Sequence, residues 1–170
     1  MNFFRFVGIA EGDCLKFLLL LDTSGSMYGD KIAGLNLAVS NLLEGFKEMA
    51  LVEPPEIAVV TFGGEPKRCP FMPFGQVNVG WEAGGKTRLS EALKLATELM
   101  TDETIMLIIT DGAPQDGEYK NIELRGHTYC MAIGYDADIE LLEELATNPS
   151  QVVSPDEAQH LPGYWYAMHT

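Results

Sequence analysis

Apolar residues along this chain fall into two rhythms. Lys16–Leu21, Ile57–Phe62, Thr104–Thr110 and His127–Ile133 are short, nearly unbroken apolar or β-rich runs. They have the length expected of strands buried on both faces of a parallel sheet. Between them the spacing turns helical. From Asp30 to about Met49 the apolar positions Ile32, Leu35, Leu37, Val39, Leu42, Leu43 and Phe46 predict a helix capped by Asp30 and ended by Pro54-Pro55. Thr87–Met100 carries a second apolar face through Leu89, Ala92, Leu93, Leu95, Ala96 and Leu99.

The turn Gly63-Gly64-Glu65-Pro66 lets Arg68–Phe74 return as an antiparallel edge strand, where Pro70 and Pro73 are tolerable. Asp138–Ala146 reads as a short acidic helix and Gln151–Ser154 as a small last strand. Pro155-Asp156-Glu157-Ala158 opens a final helix that Pro162-Gly163 should cut short. Strands alternating with helices predict an α/β fold: a doubly wound, mostly parallel central sheet with one antiparallel edge strand and helices on both faces. One place departs from that regularity. Fifteen residues separate Asp111 from His127, with Gly112, Pro114, Gly117 and Gly126 among them, too broken a stretch for a full crossover helix.

The length, 170 residues, suits one domain, and 46% hydrophobic content supplies a core. A formal net charge of −14 argues against nucleic acid or an anionic membrane as the main partner, since both would be repelled. It leaves cations open. The start has no sustained apolar segment or cleavage site, and the run ending at Asp22 is far shorter than the ~20 residues of a membrane span. Cys14, Cys69 and Cys130 lie far apart with no CxxC spacing, which reads as reduced thiols in a cytoplasmic protein.

Chemistry concentrates where the strands end. Asp22-Thr23-Ser24-Gly25-Ser26 follows the first buried run, and its oxygen side chains at alternate positions can converge on a hard cation such as Mg²⁺. Taken alone, Ser24 and Ser26 could equally cap the following helix. Two further residues change the balance. Asp111 ends the run Ile105–Thr110, and Thr87 precedes a helix in Gly84-Gly85-Lys86-Thr87-Arg88-Leu89. In an open α/β sheet ligands bind past the carboxyl ends of the strands, where the strand order reverses. If the first and fourth strands flank that point, Asp22 and Asp111 face one crevice.

This set resembles the metal-ion-dependent adhesion site of von Willebrand factor type A (VWA) domains, over essentially Lys16 to Leu161. The resemblance implies a single VWA domain spanning 1–170, with a Rossmann-like core at about 16–161 and a short N-terminal extension at 1–15. It also implies five metal ligands, Asp22, Ser24, Ser26, Thr87 and Asp111, with Mg²⁺ as the cofactor and Mn²⁺ or Ca²⁺ as alternatives. The implied partner is a protein whose acidic residue completes the metal. The run LLLDTSGSM and the TDG-x-P turn look most like small bacterial intracellular members associated with tellurite resistance, which implies a stress-response setting and no catalysis. The loops bordering the crevice would offer Met27, Tyr28, Trp81, Lys86 and Arg88 as a partner-contact rim, although the aromatics could equally pack their own loops.

Rival motifs are weaker. Gly80–Thr87 fits the phosphate-cradling G-x-x-x-x-G-K-[ST] pattern, but the required strand before it is poor and Trp81 and Glu82 crowd the cradle. A metal-assisted phosphohydrolase would use the same crevice, yet Ser24 stands where such an enzyme places a second carboxylate. His127, His160 and His169 lack zinc spacing. Asp136-Ala137-Asp138-Ile139-Glu140 lacks the glycine of a calcium loop and reads as helix capping. Tyr164-Trp165-Tyr166 reads as a tail packed on the domain.

Overall fold

The computed structural model describes residues 15–49, 54–112 and 118–169. Cys14, the extension at 1–14 and Pro114 of the TDG-x-P turn lie outside the described residues. Among the described residues six strands form one sheet: β1 (Lys16–Leu21), β2 (Glu56–Thr61), β3 (Lys67–Pro73), β4 (Ile105–Thr110), β5 (His127–Ala132) and β6 (Val152–Val153). Four α-helices surround it among the described residues: α1 (Asp30–Glu48), α2 (Leu89–Leu99), α3 (Ile139–Leu145) and α4 (Leu161–His169). The strand order is β3-β2-β1-β4-β5-β6. All pairings are parallel except β2 with β3, which is antiparallel with an irregularity between Ile57 and Val59. The order reverses between β1 and β4, which are directly paired, Leu21 opposite Ile109.

The two-residue period of a strand explains the layering. Phe17, Leu19 and Leu21 of β1 join Ile105, Leu107 and Ile109 of β4 on the face covered by α1 and α4. Leu18 and Leu20, with Met106 and Ile108, face α2 and α3. Both faces are covered, so the central strands β1 and β4 are apolar from Phe17 to Leu21 and from Ile105 to Ile109.

Helix α1 buries Leu35, Val39, Leu42 and Phe46 at spacings of four, three and four, while Leu37 lies off that stripe and is exposed. The N-cap of α1 is Gly29 at φ 83°, and Asp30 is the first helical residue, where its charge still suits the helix dipole. Asp138 caps α3 as expected, its Oδ1 accepting the Leu141 N–H at 3.2 Å.

The stretch between β4 and β5 holds no α-helix among the described residues; a 3₁₀ turn, Glu118–Asn121, takes that place, and Tyr119, Ile122 and Leu124 pack on the α2/α3 face. Pro162 and Gly163 do not truncate the last helix. They sit in the first turn of α4, where proline lacks no needed hydrogen bond. The aromatic tail is core: Trp165 and Tyr166 are fully buried, with the Trp165 ring 5.3 Å from Phe17. Among the described residues no helix is long and apolar enough to cross a membrane.

The described cysteines differ in a way labelling can read. Cys69 is exposed on the edge strand β3, whereas Cys130 lies in β5 with its thiol pushed up to about 12 by burial. Iodoacetamide at pH 8, followed by peptide mapping, is expected to modify Cys69 in the folded protein and Cys130 only after denaturation, because the thiolate is the nucleophile. Labelling of Cys130 at the rate of Cys69 would contradict the packing of β5.

Candidate metal centre

The carboxyl ends of β1 and β4 carry Asp22 and Asp111 as the first residue beyond each strand. The sheet ladder continues one step, Asp22 N–H donating to the Ile109 carbonyl at 2.9 Å, which sets Asp22 beside Thr110. Both carboxylates are almost wholly buried, Asp22 at 0% exposure and Asp111 at 4%. Asp22 is held twice. Its Oδ1 accepts the Ser24 N–H at 2.9 Å and its Oδ2 accepts the Thr110 hydroxyl at 2.6 Å, the short length of a charge-assisted bond. The Thr110 oxygen in turn accepts the Gly112 N–H. Burial pushes the Asp22 carboxyl above its ordinary range; the bonds from Ser24 and Thr110 oppose that shift, and the nearby Asp111 charge adds to it.

Ser24 and Ser26 bring their hydroxyl oxygens within 3.1 Å of each other. Ser24 is buried and Ser26 exposed. Ser24 stands at the N-cap of the 3₁₀ turn Gly25–Met27, and its side chain makes no capping bond there; α1 is likewise capped by Gly29 without a side-chain bond. Helix capping therefore does not account for these hydroxyls.

Thr87 arrives on a loop bonded to the same turn. Gly84 N–H donates to Thr23 O at 2.8 Å, Gly25 N–H to Gly85 O at 2.9 Å, and Gly64 N–H to Lys86 O at 3.0 Å. Three loops meet backbone to backbone, and only glycine permits it: a Cβ on Gly63 would lie 2.1 Å from Thr23 O, and one on Gly85, at φ 79°, would lie 2.4 Å from Gly64 N. Thr87 is buried two residues before α2.

The donor set is two carboxylates and three hydroxyls, all hard oxygen, which matches a hard divalent cation better than a soft one. Among the described residues no three His, Cys, Asp or Glu side chains converge as a cage, so a metal here must draw on the hydroxyls. One further sign points to a ligand. Asp111 Oδ1 is buried and has no hydrogen-bond partner among the described residues, an expense that an arriving cation would offset.

Sequence reasoning missed Thr110 and Lys31. Thr110 stands directly before Asp111, so the Thr-Asp-Gly triplet carried a signal for it. Lys31 had none. Its ammonium reaches Asp111 Oδ2 at 3.3 Å and both oxygens of Asp136 at 3.0 and 3.2 Å. These contacts, Asp136 first, raise the Lys31 pKa, and Lys31 lowers that of Asp136.

The rim needs one correction. Met27 is 0% exposed, because the 3₁₀ turn rolls its third residue inward beneath α1. Tyr28 is 83% exposed and Lys86 is exposed. Trp81 is half-buried against the α1/α4 face, its loop clamped by Asn36, which bonds Trp81 N–H and C=O at 2.9 Å each. Arg88 lies 3.5 Å from Glu91. The Gly80–Thr87 segment does not form a phosphate cradle. β3 ends at Pro73, a 3₁₀ turn intervenes, and the N–H groups of Gly80, Trp81 and Gly84 are bonded within the protein.

Residues 17–113 match the von Willebrand factor type A domain family. No curated protein matches the chain. Among solved structures, the pilus adhesin SpaC from Lactobacillus rhamnosus GG superposes with a TM-score of 0.70 at 11% identity, over 91% of this chain and 30% of that one. Proximal thread matrix protein 1 from the mussel byssus, with a zinc-occupied MIDAS motif, gives 0.68 at 18% identity, over 89% and 46%. The ArnB paralog VWA2 from Sulfolobus acidocaldarius gives 0.66 at 17% identity, over 86% and 43%. The chain thus spans less than half the length of each of these proteins, and at such identities the likeness is one of fold. With more than half of its residues inside the family match, the chain belongs to the von Willebrand factor type A domain family.

Proposed function

We propose that this domain is a protein-binding module that works through a divalent cation, Mg²⁺ in the first instance, held by Asp22, Ser24, Ser26, Thr87 and Asp111. The observation that carries the reading is the convergence of two buried carboxylates and the paired Ser24 and Ser26 hydroxyls at the β1/β4 reversal, with Asp111 Oδ1 unpartnered among the described residues. The zinc-occupied MIDAS of the mussel thread protein supports the same use of this fold. Three of the five donors are uncharged hydroxyls and the Asp111 charge is shared with Lys31, so the cation keeps a net positive charge that a carboxylate offered by a partner protein can neutralise. The surroundings add selectivity. Lys86 and Arg88 flank Thr87 and favour an acidic group there, while a groove of about 410 Å³ that includes Asp111 is lined by Asp136, Asp138, Glu140 and Glu144 against Lys120, the single lining cation among the described residues. A partner that presents an acidic residue with basic neighbours satisfies both.

Binding fits better than hydrolysis. Both Asp22 oxygens accept hydrogen bonds and Asp111 Oδ2 faces Lys31. On this reading the remaining Asp111 oxygen goes to the cation, which leaves no carboxylate oxygen of the centre free to receive a proton from water. On the LLLDTSGSM run we extend the reading to a cytoplasmic, bacterial stress-response setting of the tellurite-resistance type.

Affinity capture tests the proposal. The partner retained by wild-type protein in Mg²⁺ is expected to be lost in EDTA and with Asp22→Ala as bait, and the purified pair to weaken by about 2–5 kcal/mol, the cost of removing one side of a desolvated charged contact. A partner held equally in EDTA and by Asp22→Ala overturns it.

A further inference from the structure

Each carboxylate at the centre offers less than it could. Both Asp22 oxygens are engaged, one by the Ser24 N–H and one by the Thr110 hydroxyl. Of the Asp111 oxygens, Oδ2 faces the Lys31 ammonium at 3.3 Å and Oδ1 has no hydrogen-bond partner among the described residues. The fold makes room for this arrangement. Lys31 stands in the first turn of α1, and its stem passes over Gly134, at φ 86°, where a Cβ would lie 2.8 Å from Lys31 Cε. Asp136, two residues on, anchors the ammonium at 3.0 Å from the far side. The lysine is therefore held at Asp111 by a built path, with its side chain only 22% exposed.

We propose that Lys31 is the residue that sets which divalent cation the site accepts. This rests on the metal-site reading given above. By holding Asp111 Oδ2, Lys31 restricts Asp111 to one-oxygen ligation. Mg²⁺ is small, six-coordinate and keeps several waters, so single-oxygen carboxylate ligands suffice for it. Ca²⁺ takes six to eight oxygens from carboxylates, carbonyls and waters, and a carboxylate bound through both oxygens favours it by supplying two of them at once. With Oδ2 occupied by an ammonium and both Asp22 oxygens engaged, the larger ion finds no two-oxygen ligand at this centre.

Loss of the lysine has two separable effects. Removing one positive charge strengthens binding of any divalent ion alike, whereas freeing Oδ2 helps Ca²⁺ more than Mg²⁺. The ratio of the two affinities isolates the second effect. Calorimetric titration of metal-free protein with MgCl₂ and with CaCl₂ is expected to show a preference for Mg²⁺ in wild type. In Lys31→Met the ratio should move toward Ca²⁺ by about tenfold, within the decades over which ligand number and charge tune Ca²⁺ affinity. Lys47→Met removes the same charge from the opposite, exposed end of α1 and should leave the ratio unchanged. Lys31→Arg keeps a cationic donor at the path and should keep the preference for Mg²⁺.

A ratio unmoved in Lys31→Met overturns the inference while leaving the metal site standing. A ratio lost equally in the Arg and Met variants also overturns it, since the donor would then not be what matters. Wild-type protein that takes up neither ion overturns both this inference and the metal-site reading beneath it.

Discussion

Asp22→Asn is expected to abolish the Mg²⁺-induced rise in melting temperature while leaving the metal-free protein at least as stable as wild type at neutral pH. Asp22 is fully buried, and burial raises its pKa above the ordinary 3.8. A raised folded value means that the folded protein binds the Asp22 proton more tightly than the unfolded chain does. The associated stability is complete below the ordinary value and is lost as pH rises through the raised one. Above that raised value the metal-free wild type therefore carries an ionised carboxylate that its surroundings do not fully compensate. Asparagine removes that charge and keeps the shape. Its Oδ1 can still accept the Ser24 N–H, and its Nδ2 can donate to the Thr110 oxygen in place of the bond received at 2.6 Å.

Metal binding runs the other way. A ligand at about a hundred times its Kd stabilises the folded state by about 2.7 kcal/mol, or roughly 5–10 °C for a domain of this size. Without the Asp22 charge that gain should vanish. Melting curves from pH 5 to 8, with MgCl₂ and with EDTA, read both effects together. The advantage of the variant over metal-free wild type should grow as pH rises from the ordinary carboxylate value to the raised one and level off above it. A Mg²⁺ response retained in Asp22→Asn removes Asp22 from the centre.

The parts of this site that could be read from the sequence are those whose position follows from local pattern. Strands buried on both faces must be continuously apolar, so Lys16–Leu21 and Ile105–Thr110 stand out, and the polar residue that stops each run is by construction at the sheet's carboxyl edge. Asp22 and Asp111 were legible for that reason, and the D-x-S-x-S spacing added Ser24 and Ser26. Other features depend on what the chain meets far away. Lys31 pairs with Asp111 across 80 residues and with Asp136 across 105, through a gap that exists because residue 134 is glycine. No local pattern encodes that. Met27 lies in a loop segment that reads as surface until the 3₁₀ turn is known to point its side chain into the core. Pro162 reads as a helix breaker unless the helix is known to begin one residue earlier, at Leu161. In each case tertiary packing decided between two locally acceptable readings.

Trp165→Ala is expected to cost about 3–5 kcal/mol of stability, the range for emptying a large aromatic from a packed core. Trp165 is fully buried and sits among aromatics from three other elements. Its ring stacks on Phe17 of β1 at 5.3 Å and 26°, meets Tyr129 of β5 edge-on at 5.6 Å, and lies 6.3 Å from Phe46 of α1. Truncation removes the plug that joins α4 to the sheet, so both the transfer energy and the aromatic contacts are lost. At about 2–4 °C per kcal/mol, the melting temperature should fall by roughly 6–20 °C.

Trp165→Phe should be much milder. The indole Nε1 is buried without a hydrogen-bond partner among the described residues. Leaving such a donor unpaired costs about 1–3 kcal/mol, which phenylalanine recovers against the smaller cavity it leaves. Neither variant should alter Mg²⁺ affinity in protein that remains folded. Phe17 and Asp22 are five residues apart along β1, roughly 16 Å at strand rise, so the plug and the metal centre sit at opposite ends of the strand. Urea unfolding followed by circular dichroism measures the stability, and calorimetric titration below the transition measures the metal. A loss under about 1 kcal/mol for Trp165→Ala would mean that α4 is not anchored by this ring. A loss of metal affinity in parallel with stability would mean that the sheet transmits strain from one end of β1 to the other. Asp22→Asn and Trp165→Ala are thus expected to separate the two properties cleanly, one removing the metal response without loss of stability and the other the reverse.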